Sequence, residues 1–244
     1  GSAVAYLEDF EGAQRYISLG LSPSQWSHAS QPIDSSLFVS DSAFGKSYFR
    51  GKSFWYQYFL GRTPISDVYP NRSVVAGNGR INDLKIRFNP YERGIYNKNP
   101  DFVDNKNPTF QQDSAKYTDY VNANKDKVWG GMMRLFSNFN TNFDNENIDY
   151  IEIMMNVAER DFGVNGVGGT KMYIDLGQIS EDVIANQTLN TEDGFTTASP
   201  IPNNIIDPGE DVGIDTLNNQ AEKNSYPYPL NLEDDPAHDD YDFN

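Results

Sequence analysis

Short β-prone segments, separated by Gly, Pro, Asn or Ser, follow one another along most of this chain, and they limit its fold more than any other feature. The segment SFWYQYFL at 53–60 is almost entirely aromatic, whereas DLKIRF at 83–88 alternates apolar and charged side chains. Such alternation is typical of a strand with one buried face. The segments VWGGMMRLFS at 128–137, IDYIEIMMNV at 148–157 and KMYIDLG at 171–177 continue the pattern. The sequence therefore predicts an all-β protein.

The β-prone pattern ends before the C-terminus. We predict a single β-sandwich domain with long loops over residues 3–190, and an acidic, mostly irregular extension over 191–244. Within the extension, residues 211–223 form the one helix candidate. Residues 1–2, Gly-Ser, are typical of a cloning remnant, so we expect the chain to be a piece of a longer protein.

The net charge of −16 is concentrated near the C-terminus, where residues 207–244 contain eleven acidic side chains and one basic side chain, Lys223. This charge disfavours nucleic acids and anionic membrane surfaces as partners. No segment has the roughly 18 consecutive apolar residues of a membrane helix, so we expect no direct membrane insertion. The acidic segment is interpreted either as a solvated arm or as a cation-binding region.

The chemistry of catalysis is poorly represented in the sequence. There is no cysteine, and His28 and His238 are the two histidines. Neither histidine lies in the sequence context of a nucleophile elbow. Glu152 interrupts an apolar segment and could be a catalytic acid, but the alternation of the segment explains it as an outward-facing strand residue. A glycosidase would also need a second carboxylate beside it. We therefore predict a non-enzymatic protein with no catalytic residue and no organic cofactor.

The first acidic cluster, in the segment LEDFEG, contains Glu8, Asp9 and Glu11. Calcium takes about six to eight oxygen ligands, which clustered carboxylates supply. The segment also resembles the first strand of galactose-binding-like jelly-roll modules, where acidic residues commonly help to bind a structural Ca²⁺. This resemblance implies a jelly-roll-like β-sandwich, with Asp175 as a further ligand if the first and last strands are neighbours. The alternative is that the acids form the polar face of a strand.

A second candidate calcium segment contains Asp207, Glu210, Asp211 and Asp215, and Glu222 follows it. Its spacing does not match the EF-hand loop. Acidic residues are denser still at 233–235 and 239–242. If these groups are ordered, a metal ion or a basic partner must neutralise them, and a solvated arm is the alternative.

Aromatic residues suggest a surface for a ligand or a partner. We assign Tyr91, Tyr96 and Trp129 to it, although most large aromatic side chains are expected in the core. Exposed aromatic rings stack on sugars, so a carbohydrate-binding module of an exported protein is the alternative function. A protein partner or client would use the same kind of patch.

Several segments together resemble one family. The opening VAYLEDFEGAQ, with ISL and WSHAS after it, resembles the DDFEG…I.L…W.LAS segment of the SprA/Sov family, the outer-membrane translocon of the type IX secretion system, which is also linked to gliding motility. The resemblance continues in order through NPYERGIYNKNP, KVWGGMMRLF, NIDYIEIMMNV, KMYIDLGQISEDVIANQTLNTEDG, DVGIDTLNNQAE and DDPAHDDYDFN. The chain departs from the family in WYQYFLGRTP, where the family has Asp-Pro after Trp-Tyr, and at Ile153-Met154, where the family has Phe-Trp.

This resemblance implies a soluble domain held by a large β-barrel that serves protein export without catalysing a reaction. The implied partners are other parts of the translocon barrel, other type IX secretion components and secreted client proteins. The components include a lipid-binding-type outer-membrane protein, a periplasmic plug and a peptidyl-prolyl isomerase. The implied location is the outer membrane, on its extracellular or periplasmic face. The resemblance assigns none of these contacts to particular residues.

Overall fold

The structure is a computed structural model, and it describes most of the chain in separate stretches. The described residues are 17–32, 49–58, 60, 62–75, 79–102, 122–136, 143, 148–156, 171–177, 180–184, 186–194 and 201–240. Within them, short strands form three two-stranded antiparallel sheets, and helices are few and short. The fold is therefore mostly β, which agrees with the prediction at this coarser level.

Short strands outnumber helices along the described part of the chain. The strands are β1 (Ser27–His28), β2 (Gly51–Tyr56), β3 (Thr63–Pro64), β4 (Arg80–Ile81), β5 (Lys85–Arg93) and β6 (Met132–Met133). The α-helices are α1 (Ile65–Val68) and α2 (Asn219–Ser225), and single 3₁₀ turns cover Pro23–Gln25 and Leu230–Leu232.

The chain divides into two compact units that are discontinuous in sequence. The first unit contains residues 1–25, 57–84 and 134–177, and the second unit contains residues 26–56, 85–133 and 178–244. We predicted a boundary near residues 190–200, but the described residues on both sides of that position belong to the second unit. The acidic C-terminal segment is thus part of a compact unit.

The first unit contains a small sheet next to a short helix. Strands β3 and β4 are antiparallel, with Thr63 opposite Ile81. The Thr63 hydroxyl donates to Asp83 Oδ2 at 2.8 Å, and Ile65, at the start of α1, is buried. A second hydrogen bond, from Ile65 N to Gly79 O at 2.9 Å, links the helix to the approach to β4.

The second unit is built around the ladder between β2 and β5. These strands are antiparallel, with Trp55 opposite Ile86 and a register irregularity between Gly51 and Lys52. Both strands overlap the segments that predicted them, but β2 ends at Tyr56, before the end of the aromatic segment 53–60, and β5 continues past the alternating segment 83–88 to Arg93. The second sheet of this unit pairs β1 with β6, with Ser27 opposite Met133.

The hydrophobic core of the second unit joins residues that are far apart in sequence. Its buried members are Tyr96, Val183, Tyr226, Leu230 and Ala237. Three of them come from the acidic C-terminal segment. That segment is therefore held in place by apolar burial, which is the main favourable contribution to folding.

Helix α2 begins later than the sequence predicted. The predicted helix covered 211–223, whereas α2 starts at Asn219, after the N-cap Asn218. The backbone has positive φ angles at Gly213 and Thr216, and L-residues in a right-handed helix do not adopt such angles. The helix therefore cannot begin before this turn ends.

Two strand predictions are wrong within the described residues. Neither 148–156 nor 171–177 contains a strand. A strand needs a hydrogen-bonded neighbour, and neither of these stretches takes part in a ladder of the described chain. The alternating hydrophobicity of these segments is not matched by alternating burial, since almost all of their described residues are exposed.

Candidate metal centre

Three acidic side chains of the second unit converge at one point. Asp215, Glu222 and Asp239 each bring a carboxylate oxygen to within 4.8 Å of the others. Asp215 lies in the turn that precedes α2, Glu222 lies in the first turn of α2, and Asp239 follows the 3₁₀ turn Leu230–Leu232. Three separate pieces of the C-terminal segment therefore meet at this cluster, which we call the carboxylate triad.

Each carboxylate of the triad is anchored by a hydrogen bond. Leu217 N donates to Asp215 Oδ1 at 3.0 Å, and Ala237 N donates to Glu222 Oε2 at 3.1 Å. The Tyr96 hydroxyl hydrogen-bonds to the carboxyl group of Asp239. These bonds fix the orientation of the three groups.

The triad also contains three buried oxygens that have no hydrogen-bond partner: Asp215 Oδ2, Glu222 Oε1 and Asp239 Oδ2. The Glu222 side chain is fully buried, at 0% exposure. A buried polar atom without a partner costs about 1–3 kcal/mol, and more when it is charged. Buried oxygens that remain unsatisfied in a folded protein therefore call for a specific explanation.

The electrostatics of the triad are those of like charges held together. Burial raises the pKa of Asp239 to about 8, and the neighbouring charges of Glu222, Asp215 and Asp235 act in the same direction. Burial raises the pKa of Glu222 to about 7, and the charges of Asp215, Asp235 and Asp240 contribute to this increase. The pKa of Asp215 is raised as well, mainly by burial. Bound protons or a cation must offset this repulsion.

Two further acids support the loop that presents Asp239. Asp235 Oδ1 accepts hydrogen bonds from His238 N at 2.7 Å and from Asp239 N at 3.3 Å. Asp240 Oδ2 accepts from Asn219 Nδ2 at 2.7 Å, which ties the loop to the start of α2. A carboxylate oxygen from each of Asp235, Asp239 and Asp240 also lies within 4.8 Å of the others. Asp235 and Asp240 therefore add negative charge and position Asp239.

Three basic side chains of the second unit, Arg93, His238 and Lys223, are paired with other acids. Arg93 Nη2 lies 2.6 Å from Glu233 Oε2, and His238 Nε2 lies 2.8 Å from the same oxygen. Lys223 Nζ lies 3.5 Å from Asp234 Oδ1. Burial would raise the pKa of Glu233, but the His238 hydrogen bond and the charge of Arg93 hold that pKa below its usual value. Glu233 therefore has two direct basic partners, whereas in the triad the charge of Lys98 acts on Asp215 without preventing the increase of its pKa.

The predicted calcium ligands are found in different places. Glu8, Asp9 and Glu11 lie outside the described residues. Asp175 is exposed in the first unit. Of the three C-terminal aspartates that we predicted, Asp215 belongs to the triad.

Asp207 and Asp211 are not members of the triad. They line an open cleft of about 830 Å³ together with Thr191, Glu192 and Ile214. Asp207 N donates to Glu210 Oε2 at 2.9 Å, so this part of the segment is organised by its own turn. The predicted segment is therefore split between the triad and the cleft.

Glu222 and Asp239 complete the triad, and both were noted from the sequence as acids of the C-terminal segment without being placed together with Asp215. Both were visible as acids in the sequence, yet their spacing from Asp215 matches no metal-binding motif. The contact between Ala237 N and Glu222 brings the last loop back onto α2. Tertiary contacts of this kind, and not sequence spacing, place the three acids together.

The predicted aromatic surface also divides. Tyr91 is exposed, and its hydroxyl donates to Asn122 Oδ1 at 3.2 Å. Trp129 is partly buried beneath the guanidinium of Arg50, which lies 4.8 Å from the ring centroid. Assigning Tyr96 to a surface was wrong, because this side chain is buried in the core. The backbone N–H of Tyr96 donates a hydrogen bond to Ala237 O at 2.8 Å, which holds the residue against the C-terminal segment.

No family model, curated protein or solved structure matches this chain. Within the described stretches, no helix is long and apolar enough to cross a membrane. The function is therefore inferred from the chain's own residues and from the family resemblance of its segments.

Proposed function

We propose that this chain is a soluble, non-enzymatic, jelly-roll-like domain of a SprA-like type IX secretion translocon. Its role is structural and interaction-based, through contacts with the translocon barrel, with other secretion components and with secreted clients. Its location is the outer membrane, on the extracellular or periplasmic face.

The observation that supports this proposal is that segments carrying the family resemblance contact one another. Tyr96, in NPYERGIYNKNP, donates its amide to Ala237 O, in DDPAHDDYDFN, at 2.8 Å. The Tyr96 hydroxyl accepts from Ile214 N, in DVGIDTLNNQAE, at 3.0 Å. Segments that build one core together depend on one another, so their joint occurrence has a structural reason.

The second candidate function is carbohydrate binding. Phe54 and Tyr56 are neighbours on one face of β2, with exposures of 39% and 40%. Their rings are stacked with centroids 5.9 Å apart. Exposed rings of this kind form a stacking platform for sugars or for a protein partner.

An export assay tests the proposed function in a bacterium that has type IX secretion. The region of the translocon that resembles this chain is deleted in frame, and client protein in the medium is measured after confirming that the barrel reaches the outer membrane. We expect deletion to abolish client release and insertion of this chain to restore it. Normal export by the deletion strain would contradict the proposal.

Affinity electrophoresis on polysaccharide gels separates the two candidates. The carbohydrate hypothesis predicts retardation that is lost in a Phe54→Ala/Tyr56→Ala double variant. The translocon hypothesis predicts equal mobility of the wild type and the variant on every gel. Retardation that depends on these two rings would therefore overturn our choice.

A further inference from the structure

We propose that Asp215, Glu222 and Asp239 form a binding site for Ca²⁺. This goes beyond the proposed function, because the site would exist whatever the chain contacts. The geometric basis is one carboxylate oxygen from each residue, all within 4.8 Å of one another. Two oxygens that each lie about 2.3–2.6 Å from one calcium ion are at most about 5.2 Å apart, so the observed separation is compatible with shared ligation of one ion.

The second observation is independent of the clustering of acids. Glu222 is fully buried, and its Oε1 atom has no hydrogen-bond partner, while its Oε2 atom is held by Ala237 N. The same division occurs in Asp215, where Oδ1 is held by Leu217 N and Oδ2 is unpartnered. A solvated acidic arm would expose these oxygens to water. In both residues one oxygen is anchored by a backbone N–H, and the other is buried without a hydrogen-bond partner.

The ligand chemistry favours calcium over other metals. All three groups are carboxylates, which are hard oxygen ligands, and the chain has no cysteine. Transition metals prefer sites with imidazole or thiolate ligands. Magnesium demands near-ideal octahedral geometry, whereas calcium tolerates irregular sets of about six to eight oxygens. The adjoining carboxylates of Asp235 and Asp240 increase the negative charge at the site.

The position of the triad determines what the ion would do. Its ligands come from the turn before α2, from α2 itself and from the loop held by Asp235. Tyr96 joins the triad to the core, because its hydroxyl contacts Asp239 and its ring is buried. A bound Ca²⁺ ion would offset two of the three negative charges and hold these pieces in one arrangement.

Thermal unfolding of the chelator-treated whole chain is the first test. Melting temperatures are compared in chelator, in CaCl₂, in MgCl₂ and in KCl of equal ionic strength. At a calcium concentration about 100 times Kd, we expect an increase of about 5–10 °C over chelator, with a smaller increase in magnesium. An unchanged melting temperature in calcium, or an equal increase in KCl, would overturn the proposal.

Near-isosteric variants locate the site. Glu222→Gln and Asp239→Asn each remove one charge, and calcium affinity, measured by calorimetry, should fall roughly tenfold or more. In chelator both variants should be as stable as the wild type or more stable, because a like charge has been removed. Asp211→Asn is the matched control, since Asp211 is an acid of the same segment outside the triad. The calcium affinity of this variant should equal that of the wild type.

Three results of the variant series would count against the site. The first is wild-type calcium affinity in both triad variants. The second is a loss of calcium affinity in Asp211→Asn that equals the loss in the triad variants. The third result applies if Glu222→Gln does not fold. Asp239 is partly exposed, so Asp239→Asn then provides the test, and wild-type calcium affinity in this variant would count against the site. If the deletion strain exports its client normally while the chain binds calcium, the proposed function is contradicted and the calcium site is not.

Discussion

Removing the ion pair between Arg93 and Glu233 should cost far more stability than removing an exposed pair. Arg93 is fully buried and Glu233 is 7% exposed, and their atoms Nη2 and Oε2 lie 2.6 Å apart. Arg93 Nη1 also donates to the carbonyl oxygen of Asn97 at 2.7 Å. The test substitution is Arg93→Met, which keeps most of the apolar stem and removes the charge.

The expected magnitude follows from these contacts. Removing one partner of a buried ion pair costs about 3–5 kcal/mol, because the other charge remains buried. Glu233 Oε2 keeps its hydrogen bond with His238 Nε2 at 2.8 Å, so we expect the lower end, about 3 kcal/mol. The control is Lys52→Met, since Lys52 Nζ lies 3.4 Å from Glu92 in a far more exposed pair, with side-chain exposures of 48% and 21%. That substitution should cost at most about 1 kcal/mol.

Urea unfolding followed by tryptophan fluorescence measures this difference. All three tryptophans, Trp26, Trp55 and Trp129, belong to the second unit, so the signal reports on the unit that contains the ion pair. A double-mutant cycle with Glu233→Gln should give a coupling energy of about 2 kcal/mol, provided that the m-values agree. A cost for Arg93→Met no greater than that of Lys52→Met, or a coupling energy near zero, would refute the reasoning.

Three further predictions concern other parts of the second unit. Burial lowers the pKa of His28 from 6.5 to about 4, so the contribution that this residue makes to stability above pH 6.5 should be lost as the pH falls towards 4. The raised pKa values of Glu222 and Asp239 act in the opposite direction over this range, so the measurement compares the wild type with His28→Gln. Between pH 7 and pH 5 the wild type should lose about 2 kcal/mol relative to this variant by urea unfolding, and an equal pH dependence of the two proteins would contradict the prediction. Gly213→Ala should lower the melting temperature more than Gly209→Ala. Both glycines have positive φ angles, but only a Cβ at Gly213 would collide with Asp239, whereas the space at Gly209 is open; equal losses would contradict this. Asn218→Ala should cost about 1 kcal/mol by urea unfolding, because it removes the N-cap of α2, while Asn218→Ser should restore most of that loss.

The parts of the fold that the sequence predicted well are those with a local cause. Strands β2 and β5 follow from an aromatic segment and from a period-two alternation, both of which act between near neighbours along the chain. The stretch 148–156 has an equally clear local pattern but forms no strand. Its sequence carries no information on whether a partner strand is placed beside it.

The carboxylate triad shows the same limit for the candidate site. Asp215 was predicted from a local cluster of acids, whereas Glu222 and Asp239 join it through contacts that bring the last loop onto α2. A run of acids in sequence does not reveal which of its members become buried. Burial of Glu222 depends on Ala237 and on the core around Tyr96, which lies more than 100 residues earlier.

The long separation between Arg93 and Glu233 has a consequence for the order of folding. These two charges are 140 residues apart in sequence, and Arg93 is fully buried once the unit has formed. Closing such long loops delays folding, because entropy is lost before the contact is gained. A chain that emerges N-terminus first cannot bury Arg93 with its partner until residues 233–238 have also emerged. The second unit should therefore acquire its final stability late and in one step, after most of the chain is already exposed to chaperones and proteases.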